Sequence, residues 1–118
     1  MTEPVLTVDQ RTHRDGPVVL RVAGELDHHT APRLGEALDG VRSAAAAGLV
    51  IDLSGLTYCD SSGITVLVSA YRHAGDDGRP LALAGLGDDL TQVFRTVGLD
   101  RLFTVRPTTE DAVAALRG

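Results

Sequence analysis

The sequence predicts an α/β fold, a mixed and mostly parallel sheet of about five strands with about four helices in the order ββαβαβαβα. Two observations carry that expectation. Short apolar runs alternate with stretches of helical periodicity, the signature of strand-helix-strand units. One of those runs, LVIDL at 49–53, is nearly all apolar, as a strand covered on both faces requires, and so belongs at the centre of the sheet.

The elements follow in order. VLTVDQ at 5–10 alternates at period two, VVLRVAGEL at 18–26 is rich in β-branched residues, and HRDGP between them is a turn signal. They read as two antiparallel opening strands. TAPRLGEALDGVRSAAAAG then offers Thr30 as N-cap and Pro32 in the first turn, where a missing N–H costs little. Leu34, Leu38, Val41 and Ala45 share one face of this first helix, which is expected to stop near Gly48. After the central strand, ITVLVSAYRHAG places Val66, Leu67, Ala70, Tyr71 and Ala74 at helical spacing, with Gly75 as its close. Its β-branched content competes for a strand, and its length and Ser/Asp entry decide for a helix. GDDGRP is a loop and LALAG at 81–85 a short strand. DDLTQVFRTVGL is the clearest helix, with carboxylates in its first turn, an apolar face and Gly98 at its end. LFTV at 102–105 reads as a last strand, and TTEDAVAALRG as a last helix with Thr108 and Asp111 as a capping pair.

With 118 residues and 43% hydrophobic content, the chain is expected to form one domain over 1–118 around one core. The formal charge of −5 and the scattering of 11 basic residues argue against nucleic acid as a partner. No apolar run approaches the ~18 residues of a membrane span, and the first residues lack a signal-peptide pattern, so a cytoplasmic protein is expected. Every basic residue is Arg. Without Lys, a Walker-type phosphate loop, a Schiff-base enzyme and a response-regulator receiver are excluded. Cys59 is the only cysteine, which excludes an internal disulfide and any multi-cysteine zinc site.

In a mostly parallel sheet, loops leaving the carboxyl ends of neighbouring strands crowd together, and ligands or partners meet the fold there. GELDHHT at 24–30 and YCDSSG at 58–63 both follow strands and precede helices. Asp27 and Ser62 are therefore expected near one another. Read from the residues alone, DSSG is a helix cap: Asp60 or Ser61 accepts from the first free amides, and Gly63 lets the turn bend tightly. Neither serine has the flanking glycines of a hydrolase elbow, and a phosphate cradle would want more glycines and no carboxylate. Cys59 has no activating base and reads as a small packing residue. His28 and His29 are consecutive, which in an extended chain points their side chains apart, and no third ligand stands at metal-binding spacing. Asp76, Asp77, Asp88 and Asp89 read as solvated loop and cap residues. No metal or organic cofactor is expected.

GELDHHTAPRLGEAL at 24–38 and VIDLSGLTYCDSSGITVLVSAYRHA at 50–74 resemble the STAS domain of bacterial anti-sigma factor antagonists, the SpoIIAA-like family. The DSSG block is the specific part, and the element order fits that fold over nearly the whole chain. The resemblance implies a protein that is not an enzyme. Its unphosphorylated form binds an anti-sigma factor that is also an ATP-dependent serine kinase of the histidine-kinase-like ATPase fold, which releases a sigma factor. It implies Ser62 as the phosphorylated residue, reversal by a PP2C-type phosphatase, and a monomer. The partner-binding residues it implies are Asp27, His28, Thr30, Asp60, Ser61, Ser62, Gly63 and Ile64.

Two other readings stay open from the sequence. One is a STAS interaction or nucleotide-sensing module in another signalling complex. The other is a small hydrolase using Ser62 with His28 or His29, for which no labelling by a fluorophosphonate probe is expected.

Overall fold

The computed structural model describes residues 5–117. Five strands form one sheet in the order β1-β2-β3-β4-β5: β1 (Leu6–Thr12), β2 (Val18–Leu26), β3 (Leu49–Cys59), β4 (Leu81–Ala84) and β5 (Thr104–Arg106). β1 runs antiparallel to β2, and the other pairings are parallel. Four α-helices complete the expected order: α1 (Ala31–Val41), α2 (Ser61–Asp77), α3 (Asp88–Val97) and α4 (Thr109–Leu116). The nearly all-apolar run opens the middle strand, as expected of a strand buried on both faces.

Alternation along the strands divides the core. Val18, Leu20, Val22, Ile51, Leu53 and Leu83 point to one side and pack with α1, α2 and Phe94 of α3. Val19, Val50, Ala82 and Ala84 point to the other and meet Ala112 and Val113 of α4. Three helices thus cover one face and one helix covers part of the other.

Several boundaries differ from the sequence expectation, each for a local reason. β3 does not end at Leu53 but continues to Cys59, because β2 keeps pairing with it across two irregularities, between Arg21/Ala23 and Gly24/Glu25. Each inserts one extra residue into β3, so the period-two pattern breaks while the ladder continues. α1 stops at Val41, short of Gly48, and the chain turns with Ala45 still buried in the core. Gly48 instead immediately precedes β3, at φ +116° and with Pro80 and Leu116 close to where a side chain would stand. α2 runs past Gly75 to Asp77 and closes at Gly78, whose φ of +68° is the left-handed conformation suited to that position. Asp76 and Asp77 are therefore helical and not in a loop. Both oxygens of Asp77 are held by Arg42, at 3.0 and 2.9 Å, which ties the ends of α1 and α2 together. α3 begins with Asp88 and Asp89 and closes at Gly98, as expected. A 3-10 turn over Leu99–Arg101 displaces the last strand to Thr104–Arg106. The Thr108 hydroxyl accepts from the Asp111 amide at 3.1 Å, which caps α4; Gly118, the final residue of the expected helix, lies outside the described residues.

Candidate functional site

The loops after β2 and β3 leave the same edge of the sheet, and the structure ties them together at Leu26. Leu26 pairs with Cys59 across the two strands, and its carbonyl accepts from the Asp60 amide at 3.1 Å. Its side chain, fully buried, also meets the first turn of α2: a Cβ on Gly63 would stand 2.6 and 2.7 Å from Leu26 Cγ and Cδ2 and 2.8 Å from Cys59 Sγ. The sequence assigned Gly63 to a tight turn. The structure corrects this: Gly63 is a buried helical residue, and it is glycine because two core side chains fill the space of its Cβ.

Asp60 is the N-cap of α2. One carboxylate oxygen accepts from the Ser62 amide at 2.9 Å and the Gly63 amide at 3.3 Å, and the backbone is extended, as this position requires. The Asp60 carbonyl accepts the first helical bond, from the Ile64 amide at 3.1 Å. Ser61 is exposed, and its carbonyl accepts from the Thr65 hydroxyl. Ser62 is half-buried at the second helical position, with its amide held and its hydroxyl free of hydrogen bonds among the described residues. Ile64, half-buried one turn in, flanks it with apolar surface.

The other loop is folded by Asp27. One of its oxygens accepts from the His29 amide at 2.9 Å and the Thr30 amide at 3.0 Å. Thr30 stands at the N-cap position of α1, but its hydroxyl does not cap the helix. It accepts from the Asp27 amide at 2.9 Å and donates to the Glu25 carbonyl at 2.8 Å, so this buried side chain braces the loop. The Thr30 amide above all holds the Asp27 carboxyl below its usual pKa; desolvation opposes it, and the His29 amide and Thr30 hydroxyl add to the lowering. Asp27 and Ser62 are brought to one edge as expected, through Leu26, with no direct hydrogen bond between them.

His28 and His29 do not point apart. The turn around Asp27 replaces the extended chain assumed from sequence, and the two exposed rings lie with centroids 4.0 Å apart and planes tilted by 38°. Among the described residues, neither imidazole bonds to Ser62 and no group of three or more His, Cys, Asp or Glu converges as a metal site. Cys59 is half-buried against Gly63, and burial, followed by the charge of Asp60, pushes its thiol up to about 11. A thiol held protonated is a poor nucleophile, in keeping with a packing role.

A five-stranded mixed sheet with helices on both faces, carrying a capped DSSG turn beside a GELD loop, is the arrangement of a STAS domain. The chain belongs to the STAS domain family: the family model described as "Mlab, STAS domain" matches residues 10–106. Among its relatives is the anti-sigma-B factor antagonist of Listeria monocytogenes, 36% identical over 85 residues that cover 72% of this chain and 75% of the relative. The anti-sigma-B factor antagonist of Staphylococcus aureus is 29% identical over 101 residues, covering 86% and 94%. A solved structure of an anti-sigma factor antagonist from Mycobacterium paratuberculosis superposes with a TM-score of 0.87 at 32% identity, over the whole of both chains. Phosphorylated SpoIIAA from Bacillus shares the fold, with a TM-score of 0.72 at 22% identity over 94% of this chain and 100% of that one. Both curated relatives carry the name of a regulator, an antagonist of an anti-sigma factor. Among the described residues no helix is long and apolar enough to cross a membrane.

Proposed function

We infer that this chain is an anti-sigma factor antagonist whose unphosphorylated form binds an anti-sigma factor, and that Ser62 is its switch. The partner is an ATP-dependent serine kinase of the histidine-kinase-like ATPase fold that phosphorylates Ser62, a PP2C-type phosphatase restores the hydroxyl, and the exchange takes place in the cytoplasm. The observation that carries the reading is the state of Ser62: its backbone is fixed by the Asp60 cap while its hydroxyl has no partner among the described residues. A hydroxyl in that state is free to enter a kinase site without dismantling the fold. The names of the relatives support the same reading.

The physics of the switch follows from the position. A phosphoryl group adds about −1.5 to −2 charges at a helix N-terminus, where the helix dipole favours it, so the domain tolerates the modification. Against a partner shaped for a neutral hydroxyl, the same charge beside Asp60 and on the edge of Asp27 must be stripped of water without compensation. A thousandfold loss of affinity requires only about 4 kcal/mol. Titration calorimetry with the anti-sigma factor tests this: Ser62→Ala binds and cannot be switched off, whereas Ser62→Asp keeps its circular dichroism spectrum and binds far more weakly. Wild-type affinity in a folded Ser62→Asp variant would defeat the electrostatic account.

A further inference from the structure

β1 lies at one edge of the sheet, and among the described residues no strand pairs with its outer side. Its ladder with β2 runs unbroken from Leu6 opposite Gly24 to Thr12 opposite Val18. Backbone bonds fix the phase of that ladder at both ends: the Glu25 amide donates to the Val5 carbonyl at 2.7 Å, and the His13 amide to the Pro17 carbonyl at 2.8 Å. Bonded pairs alternate along an antiparallel ladder, so Thr7, Asp9 and Arg11 bond to β2. The amides and carbonyls of Leu6, Val8, Gln10 and Thr12 therefore point outward. Asp9, Gln10, Arg11 and Thr12 are all exposed. Proline, a bulge or repelling charge commonly blunts such an edge. β1 has no proline and no irregularity, and its charged side chains, Asp9 and Arg11, are of opposite sign. Among the described residues neither forms an ion pair.

We propose that β1 pairs antiparallel with β1 of a second copy of this chain, about a two-fold axis at Gln10, in place of the monomer that the family resemblance implies. The outward groups dictate the phase, and the charges dictate the register. Gln10 exchanges both backbone bonds with Gln10 of the second copy, and Val8 does so with Thr12. Asp9 then stands opposite Arg11 of the other copy, twice by symmetry, in the non-bonded positions where Cβ atoms approach to about 4.5–5.5 Å. Sliding one strand by two residues keeps the phase but sets Asp9 against Asp9, or Arg11 against Arg11. Alternation places Asp9 and Arg11 on the face away from Leu6 and the larger core. On that face the register already aligns Asp52, Arg21 and Asp9 across β3, β2 and β1, and Arg11 of the second copy continues the change of sign. The two sheets join into one. Because the axis is perpendicular to it, the two Ser62 edges face opposite ways and stay open.

Main-chain bonds with little apolar burial make a weak dimer, so sedimentation velocity of the full chain is run over roughly 10 μM to 1 mM. The sedimentation coefficient is expected to rise with concentration from monomer to dimer. Asp9→Arg and Arg11→Asp should each weaken association about tenfold or more, since each turns two attractive pairs into repulsive ones. An equimolar mixture of these two variants should associate again, as should the double variant Asp9→Arg/Arg11→Asp. Gln10→Pro removes an outward amide at an edge position that tolerates proline, so it should keep the circular dichroism spectrum and lose the dimer. Raising the concentration should slow hydrogen exchange at the Val8, Gln10 and Thr12 amides and leave those of Thr7, Asp9 and Arg11 unchanged. A monomer throughout the range would overturn the proposal. So would a dimer untouched by the single charge reversals or by Gln10→Pro, or a mixture that associates no better than its components.

Discussion

Replacing Gly63 by alanine probes the contact that joins the two loops of the site. The added Cβ would stand 2.6 and 2.7 Å from Leu26 Cγ and Cδ2 and 2.8 Å from Cys59 Sγ, closer than nonbonded carbon and sulfur approach. Leu26 is fully buried, so it has no solvent to move into. Overpacking of this kind typically costs 1–3 kcal/mol, against about 0.5–1 kcal/mol gained by placing alanine for glycine in a helix. The net expectation is a loss of about 1–2 kcal/mol, a fall in Tm on the order of 5 °C for a domain of this size. Thermal and urea unfolding followed by circular dichroism read it directly. The double variant Leu26→Ala/Gly63→Ala should lose less than the sum of the two single variants, because the new methyl then enters space that Leu26 has vacated. A Gly63→Ala protein as stable as wild type, or additive losses in the double variant, would refute the packing argument and return Gly63 to a plain turn residue.

Two further outcomes concern titration. Cys59, with its thiol pushed up to about 11, should present on the order of a thousandth of its sulfur as thiolate at pH 8, so iodoacetamide should react far more slowly than with a free cysteine; alkylation at the rate of the free amino acid would contradict the burial. Cys59→Ser should still be phosphorylated on Ser62. Asp27, held by the Thr30 and His29 amides, titrates below its ordinary value in the folded chain. Its contribution to stability is therefore present above the unfolded-state pKa of about 3.9 and lost as pH falls through the lower folded value. Carboxyl NMR should show a low midpoint that Thr30→Val raises, by removing the hydroxyl that braces the loop and bonds the carboxylate; a midpoint above that of an unfolded-chain aspartate would overturn the assignment.

The order of elements, the central strand and a cap at Asp60 or Ser61 were legible in sequence because each rests on local chemistry: apolar runs, helical spacing, and an oxygen acceptor ahead of two free amides; the structure chooses Asp60. What was missed depends on partners distant along the chain. The extension of β3 to Cys59 is held by β2 across two irregularities, which destroy the alternation that would have marked it. The role of Gly63 is set by Leu26, on another strand. Thr30 looks like a cap by composition, and only the fold shows its hydroxyl turned back to Glu25 and Asp27. The stacking of His28 on His29 follows from the Asp27 turn, whose signal was present as an aspartate two and three residues ahead of the amides it accepts. In sequence Gly75 reads as the helix stop, but Gly78 three residues on is the one that adopts positive φ and ends the helix. Asp77 looked like a solvated loop residue because Arg42 is on another helix.

The central claim is that Ser62 is the residue through which this chain is switched. It is tested most directly by incubating the purified protein with magnesium, ATP and each histidine-kinase-like anti-sigma factor of its own genome, and mapping phosphate by intact and peptide mass spectrometry. The account requires a single phosphate on Ser62, absent from Ser62→Ala and unaffected by Ser61→Ala. Phosphate on Ser61 in place of Ser62, or none with any of these kinases, would contradict it.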